Sequence, residues 1–192
     1  MSALFPLQPG GAASELTDGL GPHAALSIRD LTPMPRYGIK GAGSAAWFAG
    51  QGVALPPVNR LAQHDDTTFL RLGTNDLVCL ADGDNEGLTR LRRSWHDAAA
   101  PKGYWSWREE SWAWLRLGGA ALEGALQRLC AVDLRAQSFR QQDVAQTRFA
   151  HVDEVVFRCE AGFDILFDIT LTAQVLAAIE VARHAAEQGE AS

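Results

Sequence analysis

A tryptophan-rich stretch near the middle of the chain, residues 104–117, constrains the fold more than any other segment. It contains Trp105, Trp107, Trp112 and Trp114, four of the six tryptophans in the sequence. Each pair is spaced by two residues, the period of a β-strand, so both members of a pair share one face. A turn centred on residues 109–110 would place Trp107 opposite Trp112, and the outer two tryptophans opposite each other. The stretch therefore predicts an aromatic hairpin, covered on both sides because its other face is also apolar.

Composition limits the class of protein. The 192 residues, 47% hydrophobic and 21% charged, fit one large domain or two small, closely packed halves. A net charge of −6 argues against a nucleic acid or an anionic membrane as partner. The sequence has no run near the ~20 apolar residues of a membrane helix and no signal-peptide pattern at its start. Three widely separated cysteines do not predict a disulfide framework, so the cytoplasm is the expected compartment.

The first part of the chain predicts an irregular arm followed by a mixed unit. Residues 1–30 are rich in Gly, Ala, Ser and Pro with weak periodicity, which is typical of such an arm. The first unit, residues 31–103, begins with a strand at residues 36–40 and a helix from Ser44. A hairpin over residues 69–80 and a helix from residue 86 complete it.

The second unit, residues 104–192, repeats this plan at slightly greater length. A strand enters a helix through Gly118 and Gly119, a hairpin covers residues 155–169, and a final helix begins at Leu171. Each unit therefore has a β-α-β-β-α order. The sequence predicts an α+β protein in which two ferredoxin-like units are fused into one compact body, effectively one domain.

Two motifs have both a functional and a structural interpretation. Gly41-Ala-Gly43 before a helix resembles part of a phosphate-binding loop, but Trp47 and Phe48 occupy the place of the third glycine. This favours glycines that serve tight strand-to-helix packing. The His64-Asp65-Asp66 cluster suits an acid–base dyad or a solvated loop, and its place just before a strand favours the loop. Histidine spacing predicts no metal site.

The remaining candidates also favour structural roles. Cys79, Cys130 and Cys159 have no basic neighbour in sequence and are expected to be small buried hydrophobes. The cluster of Arg90, Arg92 and Arg93 favours a solvated helix face. The four tryptophans suit stacking on a flat ligand such as a pterin or flavin, or packing within the protein and at an interface, and the latter is favoured. No catalytic, cofactor-binding or metal-ligating residue is assigned, which indicates a subunit or a binding module.

An ordered series of motifs resembles the gamma subunit of heterotetrameric sarcosine oxidase. In the second half the series is Leu115-Arg-Leu-Gly-Gly-Ala-Ala-Leu122, Leu129-Cys-Ala-Val-Asp-Leu134, Phe139, Ala145-Gln-Thr-Arg-Phe-Ala150, Phe157-Arg158 and Phe163-Asp-Ile-Leu-Phe-Asp168. The first half fits through Arg36-Tyr-Gly-Ile-Lys-Gly-Ala-Gly43, Pro57-Val-Asn-Arg60 and Arg71-Leu-Gly-Thr-Asn-Asp76. The resemblance runs from about residue 25 to residue 187.

The resemblance implies a reduced version of the folate-binding aminomethyltransferase fold of the glycine cleavage T protein. In that oxidase the large beta subunit carries FAD and amine oxidation, and the large alpha subunit carries NAD and tetrahydrofolate sites. FMN lies between alpha and beta, and a small delta subunit binds zinc. The gamma subunit itself holds no cofactor and supports the assembly.

Three functions follow from these patterns. The first is a non-catalytic gamma-like subunit of a flavin-dependent complex that demethylates sarcosine or another N-methyl amine such as dimethylglycine. In this role the four tryptophans fill a seam between the units or face a partner. The second is a stand-alone folate-dependent C1-transfer or repair protein, with a pterin on exposed tryptophans and Asp133 assisting proton transfer. Its short length and the missing Lys-Gly-Cys-x-x-Gly-Gln segment count against it. The third is a scaffold in some other complex.

Overall fold

The computed structural model describes residues 25–97 and 103–189. The chain divides into two compact units. The first unit comprises residues 34–110, and the second comprises residues 111–192 together with the segment before residue 34. The boundary between residues 110 and 111 falls inside the tryptophan-rich stretch.

Ten strands and five α-helices form the described part of the chain. The strands are β1 Ser27–Asp30, β2 Arg36–Lys40, β3 Arg60–His64, β4 Thr67–Gly73, β5 Asp76–Leu80, β6 Tyr104–Trp105, β7 Trp112–Gly118, β8 Val144–Phe149, β9 Val152–Cys159 and β10 Gly162–Asp168. The helices are α1 Ser44–Gly50, α2 Glu86–Asp97, α3 Arg108–Ser111, α4 Leu122–Leu129 and α5 Thr172–Gly189, the last preceded by the 3₁₀ turn Ile169–Leu171. None of these helices is long and apolar enough to cross a membrane.

Both units contain a five-stranded antiparallel sheet with the same strand order. The sheet of the first unit is β3-β4-β5-β2-β6, and that of the second is β8-β9-β10-β7-β1. In the first unit, β2 pairs with β5 on one side and with β6 on the other. In the second unit, β7 pairs in the same way with β10 and with β1. The predicted α+β class is confirmed. The structure adds β3 and β8, and the outer strands β6 and β1, to the three-strand plan read from the residues.

The predicted aromatic hairpin is wrong. Trp105 pairs with Ile39 of β2, whereas the strand that contains Trp112 and Trp114 pairs with β10 and β1. The residues expected to form the turn lie in the short helix α3. β7 instead pairs with β10 over six positions and with β1 over four, and these two ladders supply hydrogen-bond partners to its backbone on both sides.

The segment expected to be an irregular arm ends in a strand. Ser27–Asp30 forms β1 and pairs in register with residues 115–118 of β7. This pairing gives the backbone of both segments hydrogen-bond partners along an otherwise open sheet edge. Residues 1–24 of the predicted arm lie outside the described residues.

The helices lie where apolar residues recur at helical spacing. In α4, Ala125, Leu126 and Leu129 are buried against the sheet of the second unit. In α5, Val175 and Ile179 join the same core. The first unit has a more aromatic core, which contains Phe48, Phe69 and Trp95 together with Ile39, Leu77, Cys79 and Leu88.

Glycine is required where each first helix begins. Gly41 follows β2 with φ 118°, and Gly119 follows β7 with φ 103°. Both angles lie in the region that side chains other than glycine rarely adopt. The carbonyl groups of these glycines accept hydrogen bonds from the first residues of α1 and α4, Ser44 and Leu122. This geometry supports the structural interpretation of both glycine motifs.

Candidate functional site

The first tryptophan of the stretch is the centre of a surface cluster in the first unit. The Trp105 ring stacks on His96 at 5.3 Å with 28° between the planes, and it contacts Tyr37 at 5.2 Å. Its indole N–H donates a hydrogen bond to the carboxylate of Glu109. Both Tyr37 and Trp105 are half-buried, so one side of each ring packs on the apolar core while the other reaches solvent.

A guanidinium group lies over this cluster. The Arg92 guanidinium carbon is 4.9 Å from the centre of the Tyr37 ring and 5.6 Å from that of Trp105. Its Nη1 lies 3.5 Å from the Tyr37 hydroxyl oxygen. Such cation–π contacts hold an otherwise flexible side chain in one orientation. The exposed positions of Arg90 and Arg93 agree with the predicted solvated face, whereas Arg92 has a more specific place on the rings.

Two further aromatic side chains of this segment are exposed. Tyr104 is 60% exposed, and Trp107 is 58% exposed with φ 52°. A bulky residue in this left-handed region costs about 1–2 kcal/mol relative to ordinary backbone. It is therefore uncommon for a tryptophan to combine a strained backbone with a largely exposed side chain, as Trp107 does.

The other two tryptophans belong to the sheet of the second unit. Trp114 is only 2% exposed, and its indole N–H donates to Oδ2 of Asp164 at 3.0 Å. Arg116 binds the same carboxylate through Nε at 2.7 Å and Nη2 at 2.9 Å. Trp112 is half-buried on the same strand. None of these four tryptophans therefore pairs with another of the four across strands. Asp164 is a buried polar centre that the sequence did not reveal.

The second unit also contains a cavity of about 670 Å³ beside α4. Leu122, Leu126 and Phe163 form part of its apolar lining. Arg158 closes one side, with its guanidinium carbon 4.5 Å from the centre of the Phe163 ring. It donates from Nε to the carbonyl of Phe139 at 2.9 Å and from Nη2 to the carbonyl of Leu134. These bonds fix the loop that forms the mouth of the cavity.

The acidic residue at this cavity is tightly bound within its own loop. Asp133 accepts hydrogen bonds from Nη2 of Arg135 at 2.8 Å and from the Ser138 hydroxyl at 2.8 Å. The Arg135 guanidinium, with the backbone N–H of the same residue, holds the pKa of Asp133 well below its usual range. The carboxylate is therefore ionised at neutral pH and acts as a fixed acceptor.

A buried carboxyl group lies in β9. Glu154 is 4% exposed, and neither of its carboxyl oxygens has a hydrogen-bond partner among the described residues. Burial raises its pKa to about 9, so the group is neutral at physiological pH. Its charge, when present, would raise the pKa of Cys130, which burial already raises. No sequence pattern marked Glu154, because its strand is otherwise an ordinary apolar segment.

The other predicted polar positions have structural surroundings. In the tight β3–β4 turn, Nδ1 of the exposed His64 lies 3.1 Å from a carboxylate oxygen of Asp65, which supports the loop interpretation. Cys79 is buried, while Cys130 and Cys159 are half-buried, and all three are free thiols. Burial raises the pKa of Cys79 and, to about 11, that of Cys159. Within the described ranges, no group of three His, Cys, Asp or Glu side chains is arranged to hold a metal ion.

Comparison with known proteins identifies the fold. No family model and no curated protein matches this chain. A chain of the heterotetrameric sarcosine oxidase from Corynebacterium sp. U-96, solved with pyrrole 2-carboxylate, superposes with a TM-score of 0.73 at 21% identity, over 93% of this chain and 95% of that one. The glycine cleavage aminomethyltransferase T of Bartonella henselae superposes with a TM-score of 0.54 at 14% identity, over 91% of this chain and 50% of that one. The predicted resemblance is confirmed at the level of the fold.

Proposed function

We propose that this chain is a non-catalytic, gamma-like structural subunit of a multi-subunit, flavin-dependent complex that demethylates sarcosine or a related N-methyl amine such as dimethylglycine. The observation that carries the proposal is the superposition on a sarcosine oxidase chain over 93% of this chain and 95% of that one. Only half of the aminomethyltransferase chain is covered. Nearly the whole of the oxidase chain is therefore matched by this chain. Because a fold does not by itself determine chemistry, the role in the complex is a proposal.

The proposed partners are a large alpha subunit with NAD and tetrahydrofolate sites, a large beta subunit with FAD, and a small zinc-binding delta subunit. FMN would lie between alpha and beta, and this chain would hold no cofactor. The known structure is of a heterotetrameric enzyme, which supports a multi-subunit setting. The cytoplasm is the expected compartment.

The groups at the cavity support a structural role. Arg158 donates hydrogen bonds to two backbone carbonyls, and Asp133 accepts hydrogen bonds from Arg135 and Ser138. A folate-dependent C1-transfer protein, the alternative, would use Asp133 for proton transfer. That use requires a pKa near the working pH, and the Arg135 guanidinium holds the Asp133 pKa far below it.

Purification of the tagged full-length chain from its native cells tests the proposal. We expect two large chains to co-purify with it, to carry flavin and folate-binding domains identified by mass spectrometry, and to oxidise sarcosine or dimethylglycine. The isolated chain should be colourless and inactive. A stable homo-oligomer of this chain with its own sarcosine turnover would contradict the proposal.

Titration with tetrahydrofolate, followed by tryptophan fluorescence, distinguishes the proposed subunit from the folate-dependent C1-transfer protein. The proposed subunit should show no saturable quenching at high micromolar ligand. Saturable quenching that is lost in a Trp107→Ala variant would favour the C1-transfer protein, because Trp107 is the most exposed of the six tryptophans.

A further inference from the structure

The rings and cation around Trp105 form a surface that we call the aromatic–arginine surface: Tyr37, Arg92, His96 and Trp105. Arg92 and His96 are exposed on α2, and the two rings are half-buried. Arg92 stacks on Tyr37 and Trp105 with its Nη1 3.5 Å from the Tyr37 hydroxyl oxygen, and its side chain remains exposed to solvent. Because the side chain is already ordered, binding to it would cost little conformational entropy.

The charge of this surface is opposite to that of the whole chain. The protein has a net charge of −6, yet α2 presents Arg90, Arg92 and Arg93 to solvent without an ion pair to any described residue. Such unneutralised guanidinium groups attract carboxylates, and Arg binds them with two parallel hydrogen bonds. The complementary occupant is therefore acidic.

The residue types around this surface are those that dominate protein–protein interfaces. Arg, Trp and Tyr are enriched among the residues that contribute most binding energy. Tyr104 and Trp107 are both largely exposed. Tyr104 and Trp105 form β6, the outermost strand of its sheet, which pairs with β2 over two positions, and Trp107 follows two residues after Trp105. The left-handed backbone of Trp107 presents a large apolar side chain to solvent at a cost that binding would offset.

We propose that the aromatic–arginine surface docks an acidic segment of a partner protein, with a partner carboxylate bound by Arg92 and apolar contact supplied by Trp105 and Trp107. This inference rests on the proposed function, since the partner is one of the large flavin-containing chains of the complex. A short acidic segment of a polypeptide can bind at the exposed arginines of α2 alone, whereas a nucleic acid would extend its charge over the rest of a protein whose net charge is −6.

The test measures the affinity of the purified chain for the flavin-containing chain that co-purifies with it. Arg92→Glu should weaken binding on the order of 100-fold, because it sets two carboxylates against each other at the docking site. Arg92→Gln should weaken it less and should flatten the dependence of affinity on salt. The matched control is Arg128→Glu, which reverses the charge of another exposed arginine, on α4. We expect this control to stay within about two-fold of the unmodified chain.

The outcomes distinguish the two proposals. If the unmodified chain binds the flavin-containing chain and Arg92→Glu binds equally well, the docking site is refuted and the proposed function stands. An equal loss in Arg92→Glu and Arg128→Glu would also refute it, since binding would then follow net charge alone. Binding to a single-stranded oligonucleotide, lost in Arg92→Glu, without binding to the flavin-containing chain would contradict both proposals. Circular dichroism of each variant confirms that loss of affinity is not loss of fold.

Discussion

The two units have one strand order but place different chemistry within it. In the first unit aromatic rings contact one another in and beside the core, Trp95 and Trp47 at 5.0 Å and Phe48 and Phe69 at 6.0 Å. In the second unit the described core is largely aliphatic, and its sheet contains the Asp164–Arg116 ion pair and the neutral carboxyl group of Glu154. The shared order therefore tolerates two quite different interiors.

What the units share is local geometry. Gly41 and Gly119 turn the chain from strand to helix with positive φ in both. Arg71 pairs with Leu77, and Arg158 pairs with Phe163, at the same position of the corresponding hairpins. Each arginine donates to backbone carbonyls, Arg71 to those of Pro56 and Thr74. Backbone turns and the arginines that fix loops are thus common to both units, while side chains that fill the sheets differ.

The largest expected contrast is between Trp114 and Trp107. Trp114→Ala should cost about 4 kcal/mol of unfolding free energy, because it empties a buried site and leaves Asp164 without one donor. Trp107→Ala should change it by no more than about 0.5 kcal/mol, since the side chain is mostly exposed. Urea unfolding of both variants measures the contrast. Equal costs would show that Trp107 is a packing residue.

The second expected effect concerns the neutral carboxyl group in β9. The pKa of Glu154 is raised from 4.5 to about 9 in the fold. This group therefore contributes stability that is fully present below pH 4.5 and is lost as the pH rises towards 9. Between pH 5 and pH 8, Glu154→Gln should gain on the order of 4 kcal/mol of stability relative to the unmodified chain.

Unfolding free energies of both proteins from pH 5 to pH 9 check the Glu154 prediction. A matched control is Glu123→Gln on α4, which removes an exposed carboxylate and so reports the effect of losing one negative charge at the surface. If Glu154→Gln keeps the pH dependence of the unmodified chain, the buried carboxyl is not its source.

The smallest expected effects test what the units share. Arg158→Met and Arg71→Met should each cost about 1–2 kcal/mol, because each removes charge-assisted bonds to loop carbonyls. Amide hydrogen exchange should rise in residues 134–139 for the first variant and near residue 56 for the second. Faster exchange in only one of the loops would mean that Arg71 and Arg158 occupy the same hairpin position but only one of them stabilises its loop.

Local signals predicted the four longer helices and the β4–β5 and β9–β10 hairpins, whereas the predicted tryptophan hairpin was wrong. The β4–β5 hairpin follows from the Gly73–Asp76 turn, and α4 from its apolar spacing. Prediction from the sequence failed where the partner of a strand is set by residues that are distant in the chain. The strand period of the tryptophans was real, but β7 pairs with β10 and β1, which are far away in the chain. The short outer strands β1 and β6 have too few residues to give a periodic signal.

The candidate site was predicted only in part. The sequence singled out Trp105 and the arginine cluster separately, and only the fold brings Arg92 onto the Tyr37 and Trp105 rings. Asp164 and Glu154 were missed because a single carboxylate in an apolar strand has no distinguishing pattern. Their surroundings, a guanidinium for one and apolar burial for the other, depend on neighbouring strands and helices.

The native mass of the assembly that contains this chain, measured together with its flavin content, tests the account most directly. We predict a complex of this chain with two larger chains and a small one, in which flavin is present and remains with the larger chains after this chain is dissociated. A flavin-free assembly, or a homo-oligomer of this chain alone, would contradict the proposed subunit role.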